Sequence, residues 1–202
     1  MAKVESLGIR RLESVHYYVH DLERSRRFYT DVMDFAEIGE SSEELTALGR
    51  QKSVAFLAGN CAVVCIAPRG QGGRASRWLK KYPDGVGTLN FEVEDVERAF
   101  RLLEGRGGTP IDDVRRFKDE RGNEFACFSI TTPFGDTTFR FIERRGYRAL
   151  FPGFQAYDAP RGGGNRLGFL GFDHATSNFA TLGHISLWLE HVMGFERFWE
   201  IQ

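Results

Sequence analysis

The sequence contains an internal repeat in which a predicted strand and the helix after it occur three times. Displaced by 160 positions, the chain aligns with itself without a gap, so that Val32-Met33-Asp34-Phe35 corresponds to Val192-Met193-Gly194-Phe195. The same displacement places His174 at the position of Ser14, and a copy between these two has Thr88 there. A chain that uses one strand–helix unit repeatedly is expected to fold as tandem copies of one module.

Each copy begins a longer run of predicted elements. In the first, residues 12–19 alternate as a strand does, Asp21 suits a helix N-cap, and two further strands are predicted around a turn at Gly59-Asn60. The second copy repeats the order, with Asp95 as the N-cap, and its predicted strands are 88–93, 111–118, 124–132 and 137–143. The unit is therefore βαβββ. We expect an α+β fold with tandem βαβββ modules, one complete two-module domain over residues 1–152 having its modules at about 12–67 and 86–143.

Two segments follow the predicted domain. Residues 153–169 are rich in Gly, Pro and Asn and predict an interdomain linker. Residues 170–202 predict the start of a second domain: a strand over 170–179, a helix, and a further strand from Phe195 to Ile201. The strands that would cover this apolar helix are missing, so it must pack on the first domain, pair with another copy or stay an uncovered flap. We expect the second, and hence a homo-oligomer.

Composition excludes several classes of protein. The formal net charge is −1, with both signs interspersed, so there is no electrostatic signature of binding to nucleic acid or to an anionic membrane. Cys61 and Cys65 lie in an apolar run, and with Cys127 as the third cysteine we expect reduced thiols in the core rather than a metal or redox site. The chain has no apolar stretch of signal-peptide or membrane-spanning length, which predicts a cytoplasmic location.

The motifs resemble known families at two levels. The strand, Asp21-Leu22, Phe28-Tyr29 and Val-Met-x-Phe sequence is similar to the opening of modules in the vicinal oxygen chelate superfamily, which includes glyoxalases, dioxygenases and antibiotic-resistance proteins. A more specific series is similar to the domain junction of the 4-hydroxyphenylpyruvate dioxygenase family, to which hydroxymandelate synthase is the sister enzyme. That series is Gly135-Asp136-Thr137-Thr138, Ile142-Glu143-Arg144, Gly146-Tyr147, Phe151-Pro152-Gly153-Phe154, Phe172-Asp173-His174 and Gly194-Phe195-Glu196-Arg197-Phe198-Trp199.

The resemblance implies a non-haem iron enzyme. In that family Fe(II) is held by two His and one carboxylate, which leaves positions for a 2-oxo acid substrate and O₂. The first ligand corresponds to His174, whereas the second His and the Glu belong to a fourth module that the sequence does not contain. The implied reaction converts 4-hydroxyphenylpyruvate to homogentisate in tyrosine catabolism, and hydroxymandelate formation is the alternative. No other catalytic residue is assigned, and with one ligand of three we expect no turnover from this chain alone.

The first domain is expected to be metal-free. Its positions equivalent to metal ligands are Ser14, Thr88 and Arg140, and a permanent cation repels iron. His16 is a weaker second candidate for a metal ligand. Two other functions remain open: a metal-free module that binds a small ligand in its aromatic concavity, as antibiotic-resistance proteins of the superfamily do, and a structural half that assembles with a separately encoded catalytic half.

Overall fold

A curved, nine-stranded mixed sheet organises the chain in the computed structural model, which describes residues 4–197. The strands are β1 Ile9–Tyr18, β2 Ala36–Ser41, β3 Gln51–Ala58, β4 Cys61–Pro68, β5 Gly85–Val93, β6 Arg115–Lys118, β7 Glu124–Thr131, β8 Thr138–Arg145 and β9 Phe154–Gly162. The α-helices are α1 Leu22–Arg27, α2 Glu43–Gly49, α3 Arg74–Leu79, α4 Val96–Gly105 and α5 Gly183–His191, and a π-helical turn over Phe28–Val32 continues α1. Across the sheet the order is β6-β7-β8-β5-β1-β4-β3-β2-β9.

The sheet order confirms the two tandem modules. From the centre outwards, β1-β4-β3-β2 on one side corresponds to β5-β8-β7-β6 on the other. Equivalent positions in the first two copies lie 74 residues apart, and the pairing of β1 with β5 agrees with this spacing. Ser14 pairs with Asn90 and His16 pairs with Thr88 across the antiparallel β1–β5 contact. Since Thr88 is the copy of Ser14 and Asn90 is the copy of His16, the two modules are related by an approximate two-fold axis through this contact.

The predicted helix starts are confirmed in both modules. The Asp21 carboxylate accepts a hydrogen bond of 3.0 Å from the Arg24 N–H, and Asp95 accepts one of 2.9 Å from the Arg98 N–H. Each aspartate therefore satisfies one of the N–H groups that have no partner inside the helix. The hairpin turn is also confirmed, because Gly59 has φ +55°, a conformation that glycine adopts readily.

Several elements depart from the sequence pattern. The pattern did not predict β2, α2 or α3. The strand expected over 111–118 begins only at Arg115. The reason is local: the Asp112 carboxylate accepts the Ser129 N–H at 3.0 Å, so this donor is not available to a longer strand ladder.

The segment predicted as a linker, 153–169, contains a strand. β9 pairs antiparallel with β2 and forms one edge of the sheet. Its composition is compatible with an edge strand, where Pro160 need not donate a hydrogen bond to a second neighbour. Asp34 holds the glycine-rich end of this segment, since its carboxylate accepts the Gly164 N–H at 3.2 Å and also the Arg166 N–H. Whether the segment separates two domains stays a prediction.

The strand predicted over 170–179 is absent, and this prediction was wrong. These residues form no ladder, although the Leu170 carbonyl accepts a hydrogen bond of 2.9 Å from the Asn60 N–H. A strand needs a neighbour for its N–H and C=O groups. In the complete modules β1 and β5 are neighbours, whereas residues 170–179 pair with no strand of the described chain. The further strand predicted from Phe195 to Ile201 lies largely outside the described residues.

The helix of the third copy is confirmed as α5, and its C-terminal end repeats the first module in detail. The Met33 N–H donates to the Phe28 carbonyl (3.0 Å), and the Met193 N–H donates to the Trp188 carbonyl (3.4 Å). Likewise, the Phe35 and Phe195 N–H groups each donate to the carbonyl six residues earlier, at 2.8 and 3.0 Å. Positive φ angles occur at the equivalent positions Asp34 (56°) and Gly194 (68°).

α5 packs on the second module. Ile185, Val192 and Met193 are buried, and the last two belong to the core cluster that contains Leu103 of α4 and Phe139 of β8. The first of the three possibilities raised by the sequence therefore applies to this helix. Because the chain itself covers the apolar face, the argument that required a second copy loses its main support, and the oligomeric state stays a prediction.

All three cysteines are free and buried. Burial raises the pKa of Cys127 and raises that of Cys65 to about 12, which keeps these thiols protonated and unreactive at neutral pH. Within residues 4–197, no helix has the length and apolar character needed to cross a bilayer.

Candidate functional site

His174 lies in the irregular segment before α5, on the protein surface. Its side chain is 71% exposed, and its Nδ1 lies 2.5 Å from a carboxylate oxygen of Asp173. The equivalent positions in the complete modules, Ser14 and Thr88, are 1% and 2% exposed and belong to central strands. The structure therefore brings His174 together with Asp173 but not with the first-domain positions that the repeat aligns with it.

The described residues do not make up an iron site by themselves. Nowhere between residues 4 and 197 do three His, Cys, Asp or Glu side chains come close enough together to hold a metal ion. A single imidazole beside one carboxylate falls short of the three protein ligands of a non-haem iron centre. The other histidines do not extend this pair: His20 contacts Asp84 at 2.6 Å, and His184 and His191 are exposed on α5.

A second candidate site is a cavity of about 300 Å³ on the face of the sheet opposite α1 and α4, which we call the inner cavity. β1, β5 and β8 supply its polar floor, since side chains alternate between the two faces of each strand. His16, Thr88 and Arg140, three of the residues singled out from the sequence, line it together. Ser14 does not line it, because its hydroxyl is buried and donates to Glu13 at 2.8 Å.

The charged groups of the inner cavity are all cations. Arg74 reaches in from α3, Arg140 from β8 and Arg115 from β6, and no Asp or Glu is among the lining residues of the described chain. Arg115 has a carboxylate partner in Asp112, at 2.8 Å. Arg74 and Arg140 instead donate hydrogen bonds to neutral groups. Arg74 donates to Thr138 Oγ1 at 2.8 Å and to the Gly87 carbonyl at 3.3 Å, and Arg140 donates to Ser129 Oγ at 3.3 Å.

Burial, together with these cations, keeps the neighbouring histidine neutral. Burial and the positive charges of Arg140 and Arg74 lower the pKa of His16 to about 3. At neutral pH the cavity therefore contains an uncharged imidazole between guanidinium groups. Such a site repels a metal cation, since its nearest fixed charges are positive. The prediction of Arg140 as an obstacle to metal binding is consistent with this arrangement, in which His16 serves as a neutral polar group.

An ion pair between strands positions the wall of the cavity. The Arg144 guanidinium contacts Glu13, whose side chain is 4% exposed, and donates to the Ala149 and Leu150 carbonyls at 2.7 and 2.6 Å. These bonds hold the chain that follows β8 against the inner face of the sheet. As a result Phe151 lies over His16, with 6.2 Å between ring centroids.

The family comparison agrees with this architecture. Residues 11–137 match the family described as the glyoxalase, bleomycin resistance protein and dioxygenase superfamily. The chain belongs to this superfamily. Its members share the vicinal oxygen chelate fold that the tandem βαβββ modules predicted.

Curated relatives from this superfamily are named 4-hydroxyphenylpyruvate dioxygenase. The protein of Coccidioides posadasii is 28% identical over 208 aligned positions, which cover 94% of this chain and 51% of the relative. That of Caenorhabditis elegans is 31% identical over 129 positions, covering 61% of this chain and 32% of the relative. The chain therefore spans about half the length of the curated relatives it matches most fully.

Solved structures support the fold alone. A variant of 4-hydroxymandelate synthase from Streptomyces coelicolor aligns with a TM-score of 0.62 and 17% identity, covering 75% of this chain and 43% of that one. Methylmalonyl-CoA epimerase from Mycobacterium tuberculosis aligns with a TM-score of 0.55 and 17% identity, covering 68% and 89%.

Sequence reasoning missed most of the inner cavity. Arg74 was not a candidate because it lies on a helix outside the repeated unit, Tyr18 was not singled out, and Phe151 was noted only as part of the motif Phe151-Pro152-Gly153-Phe154. A usable signal was present in the contrast with the third copy: the first-domain positions carry hydroxyl and cationic side chains where a metal site would need imidazole or carboxylate.

Proposed function

We propose that this chain is the N-terminal half of a non-haem Fe(II) dioxygenase of the 4-hydroxyphenylpyruvate dioxygenase type. The observation that carries the proposal is the similarity to the Coccidioides posadasii enzyme over 94% of the chain, which includes both the two-module domain and most of the segment after it. In the complete enzyme Fe(II) would bind a 2-oxo acid, 4-hydroxyphenylpyruvate, and O₂ at its open positions. We expect the enzyme to be cytoplasmic and a homo-oligomer.

Within this proposal His174 supplies one iron ligand. Its Nδ1 is occupied by Asp173 at 2.5 Å, so Nε2 is the nitrogen that would face the metal. Metal-binding histidines usually place their other ring nitrogen against a carboxylate or carbonyl, which fixes the ring orientation and raises ligand basicity. The remaining His and Glu would come from a fourth module outside these 202 residues. The first domain holds no iron and acts as the scaffold on which α5 packs.

The chain by itself should have no dioxygenase activity. Purified 202-residue protein supplied with Fe(II), ascorbate and 4-hydroxyphenylpyruvate is expected to release no homogentisate and to consume no O₂, because a single imidazole does not retain iron. Homogentisate above the protein-free control would contradict the assignment of the missing ligands to another module.

The coding sequence beyond codon 202 provides the direct test. We expect an in-frame or companion reading frame that encodes a fourth module with a His and a Glu on its strands. In protein expressed with that module, His174→Ala should lower the iron content per chain at least tenfold by elemental analysis. His184→Ala, an exposed histidine on α5, is the matched control and should leave the iron content unchanged. A stop codon with no companion frame, or equal iron contents in the two variants, would overturn the proposal.

A further inference from the structure

We propose that the inner cavity of the two-module domain is a binding site for a small aromatic carboxylate, with the carboxylate held between Arg74 and Arg140. This inference goes beyond the proposed dioxygenase function. It concerns a different site, and it needs neither iron nor the second half of the enzyme.

The charge of the inner cavity is unbalanced. Arg74 and Arg140 line it without an ion-pair partner among the described residues. The carboxylate of Asp136, which interacts electrostatically with Arg74, is bound to Lys81 at 3.0 Å. Partly buried guanidinium groups are costly without a counter-charge. Planar guanidinium groups also match the geometry of a carboxylate, since each can donate two parallel hydrogen bonds. An anionic ligand would supply the missing counter-charge.

The polar floor between the two arginines is preorganised. The Thr88 and Thr138 hydroxyl groups lie 3.0 Å apart, and Thr138 also accepts a hydrogen bond of 2.8 Å from Arg74. These bonds fix the Arg74 guanidinium before any ligand arrives, which lowers the entropy lost on binding. His16 lies beside them as a neutral imidazole, since its pKa is about 3, and its ring N–H is one more hydrogen-bond donor in the cavity.

The apolar wall of the inner cavity favours a ligand that contains an aromatic ring. Tyr18, Phe117, Phe125 and Phe151 surround the charged floor. Tyr18 can occupy its position because Gly87 has no side chain; a Cβ there would lie 2.1 Å from the tyrosine ring. A volume of about 300 Å³ is at the small end for ligand sites and suits a single ring with a short side chain. Apolar walls with a few directed polar groups are the usual composition of such sites.

The test uses 3-phenylpropionate as the probe and the 202-residue chain as the receptor, with binding measured by isothermal titration calorimetry at low ionic strength. We expect saturable binding with one site per chain. The neutral analogue 3-phenylpropanamide should bind at least tenfold more weakly, because it lacks the charge. Acetate should also bind at least tenfold more weakly, because it lacks the ring.

Variants locate the site. Arg140→Gln should weaken 3-phenylpropionate binding at least tenfold, whereas Arg140→Lys should recover part of the loss and so separate charge from packing. Arg101→Gln is the matched control, because Arg101 is exposed on α4 at the opposite face of the sheet. Circular dichroism confirms that each variant is folded. The proposal is overturned by equal affinity for the acid and the amide, by equal affinity of the Arg140→Gln and Arg101→Gln proteins, or by no binding at millimolar concentrations. None of these outcomes bears on iron binding at His174.

Discussion

The opening of the first module, residues 12–35, and its copy, residues 172–195, have related sequences but only partly related structures. The chain leaving the helix is alike in both: the N–H groups of Met33 and Met193, and those of Phe35 and Phe195, donate to equivalent carbonyls, and φ is positive at Asp34 and Gly194. The strands do not agree: the first forms the central strand β1, and the copy forms no strand. A helix end is satisfied by groups within a few residues, whereas a strand depends on a neighbour that is remote in sequence. A repeated sequence therefore guarantees only the local part of a module.

The largest expected effect tests the remote contacts that hold β1. Arg144→Met should lower the free energy of unfolding by about 3–5 kcal/mol, because it leaves the Glu13 carboxylate buried without its partner. The control is Arg116→Met, which removes an ion pair with Glu97 that is about two-fifths exposed on both sides and should cost less than about 1 kcal/mol. Urea unfolding measures both. Similar losses in the two variants would mean that this remote ion pair does not stabilise the β1 region.

An intermediate effect is expected for the packing of α5, the helix of the third copy, on the second module. Ile185 of α5 is 3% exposed, so Ile185→Ala should destabilise the packing of this helix by about 2–4 kcal/mol. Leu187→Ala, at a side chain that is 54% exposed on the same helix, should change stability by less than about 0.5 kcal/mol. Hydrogen exchange of the α5 amides reports the difference. Equal protection in both variants would contradict the packing of α5 on the domain and would return self-association as the explanation for its apolar face.

The smallest effect concerns the buried histidine of β1. The pKa of His16 is about 3 in the folded protein and about 6.5 in an unfolded chain, so below pH 6.5 the unfolded state binds the extra proton. Stability should therefore be complete above pH 6.5 and decline as the pH falls towards 3, with a loss of about 2 kcal/mol between pH 7 and pH 5. Urea unfolding at the two pH values, compared with His16→Gln, isolates this contribution.

In the His16→Gln protein the decline with pH should be shallower by that amount. Thr88→Val changes a neighbouring buried residue that carries no charge and should keep the decline of the unaltered protein. If His16→Gln and the unaltered protein lose stability in parallel, the imidazole is not held neutral by its surroundings and the electrostatic description of the inner cavity is wrong.

Much of the fold could be predicted from the sequence because its signals are local or periodic. Asp21 and Asp95 mark helix starts through bonds to N–H groups three residues later, and Gly59 marks the hairpin. The 74-residue spacing also means that the pairing of His16 with Thr88 entails the symmetry-related pairing of Ser14 with Asn90. β9 was missed because its composition is that of a loop, and only the exposed edge of β2 makes it a strand.

The candidate sites also combine residues that the sequence could identify with contacts that only the fold creates. His174 could be singled out from the repeat, but its ring is exposed and its remaining partners lie outside the described residues. Arg140 and His16 could be named from the strand patterns of β8 and β1. Their neighbour Arg74 could not, because it lies on α3, a helix that the sequence pattern did not predict.

The sequence by itself determined the repeated module, the number of its copies and the ends of the repeated helix. The copies follow from the period of the sequence, and helix ends depend on contacts between residues a few positions apart. Only the tertiary structure decided that 154–162 joins the sheet, that 170–179 does not, and that two arginines from different elements face one neutral histidine. Strand pairing and the charge of a cavity both arise from groups that are distant in the chain, and their free energies exist only after the chain has brought those groups together.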